Sequence, residues 1–235
     1  MPRTVLITGV SRGLGASLEC KFLENGDRVI GLSSTQKNKA LKNRKTYNVD
    51  ICDERAVRAV FASIRREKWT PDIVINNAAI SHNTPALLTT KEQFSNCLNL
   101  NLVGSFLVTR ESVKLMRKNG RGRVIFLSSI NTVLNSVGSI AYSASKKSLE
   151  TLMATFSKET PYLDVTFNTL ALSIVNGTPM ADKLDEEALK QKQNSMVKPA
   201  FLTVEEVMHG IEFFSSDAAS NITNQILYFG GLEHT

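Results

Sequence analysis

The stretch Thr4-Val5-Leu6-Ile7-Thr8-Gly9-Val10-Ser11-Arg12-Gly13-Leu14-Gly15 decides how the rest of the chain is read. Its first four residues form a continuous apolar run, the pattern of a parallel strand buried on both faces. The run stops at Gly9, and a helical pattern follows from Ala16 to Glu24, closed by Asn25-Gly26. Glycines in a first strand-to-helix turn allow backbone angles and close approaches that a Cβ would block. The helix N-terminus behind them offers free N–H groups to a pyrophosphate. Gly9, Ser11, Arg12, Gly13, Leu14 and Gly15 are therefore candidate contacts for a dinucleotide. The glycines are spaced Gly-x-x-x-Gly-x-Gly, which departs from the Gly-x-Gly-x-x-Gly fingerprint, so a purely structural glycine-rich turn stands as the alternative reading.

Working outward, strands and helices alternate. Arg28–Leu32 is a second strand, ending at Ser33-Ser34-Thr35 with no acidic residue. Sites selective for NAD place an Asp or Glu there for the ribose 2′-hydroxyl, whereas a 2′-phosphate needs neutral or basic partners. Arg12 with Ser34 and Lys37 can supply them, and NADP(H) is the expected cofactor. A strand over Thr46–Val49 delivers Asp50 and Ile51, a polar and an apolar partner for an adenine, although Asp50 could equally cap the helix Glu54–Glu67. Asp72–Ile75 is a further strand, leading into Asn76-Asn77-Ala78-Ala79. This alternation is the doubly wound α/β pattern, in which ligands gather at the carboxyl ends of the strands.

Ser81–Thr90 reads as a loop near the same edge, and its His82 could touch substrate, although a lone loop histidine is more often solvated. A helix over Lys91–Lys118 has almost no polar face and is expected to be buried against the sheet and against another subunit. Asn101 interrupts its apolar run, and a buried amide needs partners, which suggests a structural or catalytic water. The strand Arg123–Leu127 presents Ser128-Ser129. Thirteen residues after Ser129 comes Tyr142-Ser143-Ala144-Ser145-Lys146, on a helix running to about Lys158. Tyr142 and Lys146 are four residues apart and share one helix face. An ammonium beside a phenol lowers the phenol's pKa from its usual ~10 and makes it a usable acid and base. A strand over Asp164–Leu170 completes the pattern.

At 235 residues the chain fits one domain. Its composition, 42% hydrophobic and 21% charged, is that of a soluble globular protein. It has neither a signal-peptide core nor a membrane-length apolar run, so a cytoplasmic protein is expected, with no membrane partner. Cys20, Cys52 and Cys97 lack metal-ligand spacing, and neither a metal site nor a disulfide framework is expected. The net charge of +6 and the run Lys37, Lys39, Lys42, Arg44, Lys45 admit an acidic partner, but without interleaved aromatics nucleic-acid binding ranks last.

Taken together, the constellation resembles the short-chain dehydrogenases/reductases. Thr8-Gly9-x-x-x-Gly13-x-Gly15 looks like the cofactor turn of that family, Asn76-Asn77-Ala78-Ala79 like its Asn-Asn-Ala-Gly, and Asn101, Ser129, Tyr142 and Lys146 like its catalytic tetrad. The resemblance implies a Rossmann-type, mostly parallel, seven-stranded sheet with helices on both faces. It also implies proton exchange by Tyr142 with the substrate oxygen, a hydrogen bond from Ser129 to that oxygen, ribose binding and pKa depression by Lys146, and a water held by Asn101. Asn77, Ala78, Ala79, Val175 and Thr178 join the cofactor contacts on the same ground, as do Tyr142 and Lys146.

The resemblance is greatest to the 3-oxoacyl-acyl-carrier-protein reductases, which implies a small carbonyl or acyl substrate and a homotetramer or dimer. Where those reductases place arginines for the acidic carrier, this chain has Gly120 and Leu163. Where the family shows Asn-Ala-x-x-Pro-Gly, this chain has Asn168-Thr169-Leu170-Ala171-Leu172-Ser173. A substrate lid is expected over residues 175–199, with an amphipathic helix across Asp182–Met196 marked by Leu184, Leu189 and Met196. The rival readings are a reductase of a sugar or small polar ketone, and a silent NADP-binding regulator.

Overall fold

The computed structural model describes residues 2–35, 39–182, 189, 190, 193, 194 and 196–232. Most of the expected lid helix, Leu184 included, and Lys37 lie outside the described residues.

Eight strands form one sheet: β1 (Thr4–Thr8), β2 (Arg28–Ser33), β3 (Lys39–Leu41), β4 (Arg44–Asn48), β5 (Ile73–Asn76), β6 (Arg121–Ser129), β7 (Asp164–Leu172) and β8 (Gln225–Tyr228), in the spatial order β3-β4-β2-β1-β5-β6-β7-β8. Seven strands run parallel, as expected. The addition is β3, a short edge strand paired antiparallel to β4, in the basic segment that carries no strand pattern of its own.

Successive side chains on the strands face opposite sides of the sheet, and the two faces have separate cores. Leu6, Ile30, Val74, Val124, Phe126 and Phe167 pack against α2 (Glu54–Arg66), α4 (Ser105–Asn119) and α6 (Ile140–Glu159), the last preceded by the single-turn α5 (Asn131–Leu134). Val5, Ile7, Val29, Ile73, Ile75, Ile125 and Leu127 pack against α1 (Gly13–Glu24) and α7 (Val204–Ser215). Burial on both faces is why these strands read as unbroken apolar runs.

The strand order reverses between β1 and β5, the place where a doubly wound sheet opens a crevice at its carboxyl edge. Thr8 and Asn76 end the two strands flanking it. Next to β5, β6 ends at Ser129, which stands in register with Leu172 of β7.

The expected helix over Lys91–Lys118 is one helical path in three parts: α3 (Lys91–Cys97), a π-helical segment Leu98–Gly104, and α4. The wider π turn falls on Asn101, and such segments are frequent at functional sites. Burial of this path is not complete, since Val103 is 40% exposed.

Candidate active site

The glycine turn is braced by the segment after β5. The Thr8 hydroxyl accepts the backbone N–H groups of Asn77 (3.0 Å) and Ala78 (2.9 Å), and the Asn77 amide donates back to the Thr8 carbonyl at 2.8 Å. Gly9 has φ +75°, and a Cβ there would come within 2.9 Å of the Ala78 Cα. A Cβ on Gly15 would lie 2.3 Å from the Gly9 carbonyl oxygen and 2.5 Å from Asn77 Nδ2. Both glycines are therefore demanded by packing between two backbone turns. Asn77, Ala78 and Ala79 lie at the crevice, and the first two also shape its glycine wall.

The N-terminus of α1 has no side-chain cap and no acidic residue in its first turn, whereas α2, α3 and α7 are capped by Asp53, Thr90 and Thr203. An uncapped N-terminus behind a glycine turn leaves its N–H groups and the positive end of its dipole for an anion. Ser11, Arg12 and Ser34 are exposed beside it, and Leu14 is half-buried. Across the crevice, the loop after β7 returns to this turn: a Cβ on Gly13 would meet Pro179 Cδ at 3.0 Å, and the neighbouring Thr178 hydroxyl donates to the Val175 carbonyl at 2.8 Å. Val175 and Thr178 are thus held beside the turn.

Asp50 does not cap α2. Its carboxylate accepts the Cys52 N–H at 2.9 Å, and Asp53, three residues on, is the cap. Ile51 is buried, and Gly104 lacks a Cβ where one would meet Ile51 Cγ1 at 2.7 Å. Two members of the basic run are engaged within the protein: Arg44 pairs with buried Glu19 at 2.7 Å, and Lys45 pairs with Glu67 and lies 4.4 Å from the Trp69 ring centre.

Asn101 is fully buried. Its Oδ1 accepts the Ile80 N–H at 2.9 Å, and its Nδ2 donates to the Ile80 carbonyl and to Ser145 Oγ, both at 2.9 Å. Ser145 in turn donates to the Tyr142 carbonyl at 2.7 Å. The side chain clamps the loop after β5 to the helix carrying Tyr142. Sequence reasoning missed Ser145 and Ile80 as working parts, and named Thr8 only as the start of the cofactor turn. Ser145 counted only as a small residue, and the Ile80 contribution is pure backbone.

Ser129 Oγ accepts the Asn131 N–H at 3.2 Å and faces Tyr142. Tyr142 is 8% exposed, and burial pushes its phenol up to about 12, with the Ser129 hydrogen bond pulling the other way. Lys146 is 2% exposed, and burial brings its ammonium down to about 8. Its Nζ donates to the Leu127 carbonyl at 2.6 Å and lies 5.7 Å from the Tyr142 ring centre. The expected depression of the phenol by Lys146 is not found here. Removal from water disfavours the charged form of both groups, and the lysine's nearest acceptor is the Leu127 carbonyl. At neutral pH the site therefore holds a neutral phenol, a serine hydroxyl and a buried ammonium around one position. Among the described residues, no group of three or more His, Cys, Asp or Glu side chains is placed to hold a metal.

A family model described as short chain dehydrogenase matches residues 3–189. The chain belongs to the short-chain dehydrogenase family. Short-chain dehydrogenases are oxidoreductases, and this one is similar along nearly its whole length to curated members. It is 30% identical to the 3-oxoacyl-[acyl-carrier-protein] reductase of Rickettsia felis, over 97% of this chain and 95% of that protein. It is 28% identical to the enzyme of the same name from Buchnera aphidicola, over 97% and 96%.

Among solved structures of short-chain dehydrogenases, a 4-hydroxyisoleucine dehydrogenase complexed with NADH superposes with a TM-score of 0.85 at 25% identity, covering 97% of both chains. A short chain dehydrogenase from Leptospira borgpetersenii with bound NAD+ gives 0.88 at 23% identity, over 98% and 92%, a likeness of fold. No helix among the described residues is long and apolar enough to cross a membrane.

Proposed function

We propose that this short-chain dehydrogenase uses NADP(H) to interconvert a carbonyl and a secondary alcohol on a small 3-oxoacyl-type substrate. The observation that carries the reading is the convergence of Ser129, Tyr142 and Lys146 at the carboxyl edge, beside an uncapped helix N-terminus and its glycine turn. The nicotinamide, when bound, supplies or accepts the hydride. The residues fit that group. The α1 N-terminus and the turn Gly9 to Gly15 suit the pyrophosphate, and Asp50 with Ile51 suits the adenine. Asn77 to Ala79, Val175 and Thr178 suit the nicotinamide end, and Lys146 the adjoining ribose. Arg12 and Ser34, at a strand end without an acid, support the 2′-phosphate and hence NADP(H) over the NAD(H) named for the two solved relatives.

In reduction, the neutral Tyr142 phenol gives its proton to the substrate oxygen while Ser129 donates a hydrogen bond to the same atom. The Lys146 ammonium stabilises the phenolate that results, and burial strengthens each of these interactions. Asn101 acts through the Tyr142 helix as a positioning residue. The substrate reads as a free thioester or oxo acid and not a carrier-bound one. Gly120 closes α4 with φ +76°, a conformation that an arginine side chain would strain, and Leu163 packs on the core. The half-exposed apolar residues Leu100, Val103 and Phe106 favour a homo-oligomer, a tetramer or dimer, through these helices.

Fluorescence titration with NADPH and NADH, beside Arg12→Ala and Tyr142→Phe, tests the reading, followed by NADPH oxidation with a ketone panel that includes a 3-oxoacyl thioester. Preferential NADPH binding that Arg12→Ala abolishes, with turnover reduced about 10²–10⁴-fold in Tyr142→Phe, is expected. NADPH binding without any turnover would favour the regulator, and equal binding of both nucleotides would remove the NADP(H) assignment.

A further inference from the structure

The loop that follows β7 leaves and returns through a clasp. Val175 and Leu202 form a parallel bridge, the Asn176 N–H donates to the Leu202 carbonyl at 2.9 Å, and the Leu202 N–H donates to the Ile174 carbonyl at 2.8 Å. Ile174, Val175 and Leu202 are all buried. The outgoing limb reaches the turn after β1, where Pro179 closes on Gly13. The returning limb meets the C-terminal tail instead.

β8 runs parallel to β7 with Tyr228 in register with Ala171, and the Phe229 N–H donates to the Ala171 carbonyl at 3.0 Å. The residues after Phe229 therefore emerge at the carboxyl edge of the sheet. There Gly230 and Gly231 take φ of +88° and +67° in succession, left-handed angles that a side chain disfavours. This double bend lays the tail along the returning limb. The Lys198 N–H donates to the Gly230 carbonyl at 2.8 Å, and Met196 and Leu232 form an antiparallel bridge. A Cβ on Gly230 would come within 2.9 Å of Met196 Sδ, and one on Gly231 within 3.2 Å of Val197 Cβ. Met196, expected on an amphipathic helix, is thus a buried bridge residue beside the glycines. In the strand order β1-β5-β6-β7-β8 the two ties, one at the β1 turn and one beyond β8, fall on opposite sides of β6 and its terminal Ser129.

We propose that the tail Gly230-Gly231-Leu232 is a positioning element for the reaction. It fixes the returning limb, Met196 to Lys198, as the wall that places the substrate, while the cofactor is seated separately through the outgoing limb. The proposal rests on the reductase reading and adds to it the part of the chain that sets substrate placement.

The test uses the full chain with NADPH and the N-acetylcysteamine thioester of 3-oxobutanoate. The variants are Gly230→Ala and Gly231→Ala, with Gly231→Asn as the conservative change, because asparagine tolerates left-handed angles better than alanine. Gly26→Ala is the control: Gly26 has φ +83°, a Cβ there meets nothing within 4 Å, and the residue lies in the turn from α1 to β2. It carries the backbone strain without touching the tail. KM for the thioester rises about tenfold in Gly230→Ala and Gly231→Ala, with kcat and NADPH affinity held within about twofold, and rises less in Gly231→Asn. Gly26→Ala leaves all three constants unchanged. An unaltered KM in both alanine variants, a parallel loss of NADPH affinity, or the same rise in Gly26→Ala overturns the proposal. If the wild type does not reduce the thioester, the reductase reading fails, and amide hydrogen exchange then reads the tie alone. Exchange of the Lys198 N–H that is about tenfold faster in Gly231→Ala, with the Leu202 N–H unchanged, supports the tie. Unchanged exchange at Lys198, or equal acceleration at both amides, overturns it.

Discussion

Lys146 makes a stability prediction that can be worked through from burial alone. Its side chain is 2% exposed and its pKa falls from 10.5 to about 8, chiefly through desolvation. At about 1.4 kcal/mol per pKa unit, this amounts to about 3 kcal/mol. For the sign, the folded pKa lies below the unfolded one, so between pH 8 and 10.5 the unfolded chain binds more protons here than the folded protein does. Stability therefore rises with pH across that window. The penalty for burying the ammonium is complete below about pH 8 and gone above about 10.5. Tyr142, pushed up to about 12, works in the opposite sense above pH 10, so the wild-type curve alone would mix the two.

The clean perturbation is Lys146→Met, which keeps the volume and removes the titration. The bond from Nζ to the Leu127 carbonyl survives in the neutral amine, so it drops out of the pH trend. Urea unfolding of both proteins at intervals from pH 7 to 10 should show the wild type gaining about 2–3 kcal/mol on Lys146→Met. A difference that stays within about 0.5 kcal/mol over that range, several-fold below the linkage expectation, would refute the reasoning and mean that water or a charged partner reaches the amine.

Two further outcomes follow from the same geometry. Gly15→Ala forces a Cβ to within 2.3 Å of the Gly9 carbonyl and 2.5 Å of Asn77 Nδ2. It should cost about 3 kcal/mol through overpacking and a lost hydrogen bond, lowering Tm by roughly 10 °C and weakening NADPH binding; an unchanged melt and affinity would contradict the brace between the two turns. For catalysis, kcat/KM for ketone reduction should hold up to about pH 8 and then fall as Lys146 loses its charge, while the phenol stays protonated throughout; a profile flat to pH 10 would show that the ammonium is dispensable.

Much of the fold is legible in the sequence because strands buried on both faces leave unbroken apolar runs, as in Val5-Leu6-Ile7 and Val124-Ile125-Phe126. The edge strand β3 is illegible for the complementary reason: Lys39-Ala40-Leu41 holds its place by backbone pairing to β4, which leaves no side-chain pattern. The reactive side chains are legible as types at spacings, and the structure brings Ser129, Tyr142 and Lys146 together. Their electrostatics are not. A spacing of four predicts an ammonium beside a phenol, but the burial that raises Tyr142 and lowers Lys146 is supplied by elements distant in sequence. Asn101 shows the same divide. Its burial is foreseeable from the apolar run around it, whereas the identity of its partners, the Ile80 backbone and Ser145, depends on how the loop after β5 meets α6.

The reciprocal bonds between Thr8 and the Asn77-Ala78 backbone bear on the kinetics of nucleotide exchange. A glycine-rich loop left to itself samples many shapes and would have to be ordered by each incoming ligand. Here that disorder is surrendered once, when the chain folds, and the loop meets every nucleotide in a shape already set. Release of spent nucleotide then needs no collapse of the loop, and slow steps in the cycle fall to the far wall of the crevice, where Pro179 closes against Gly13.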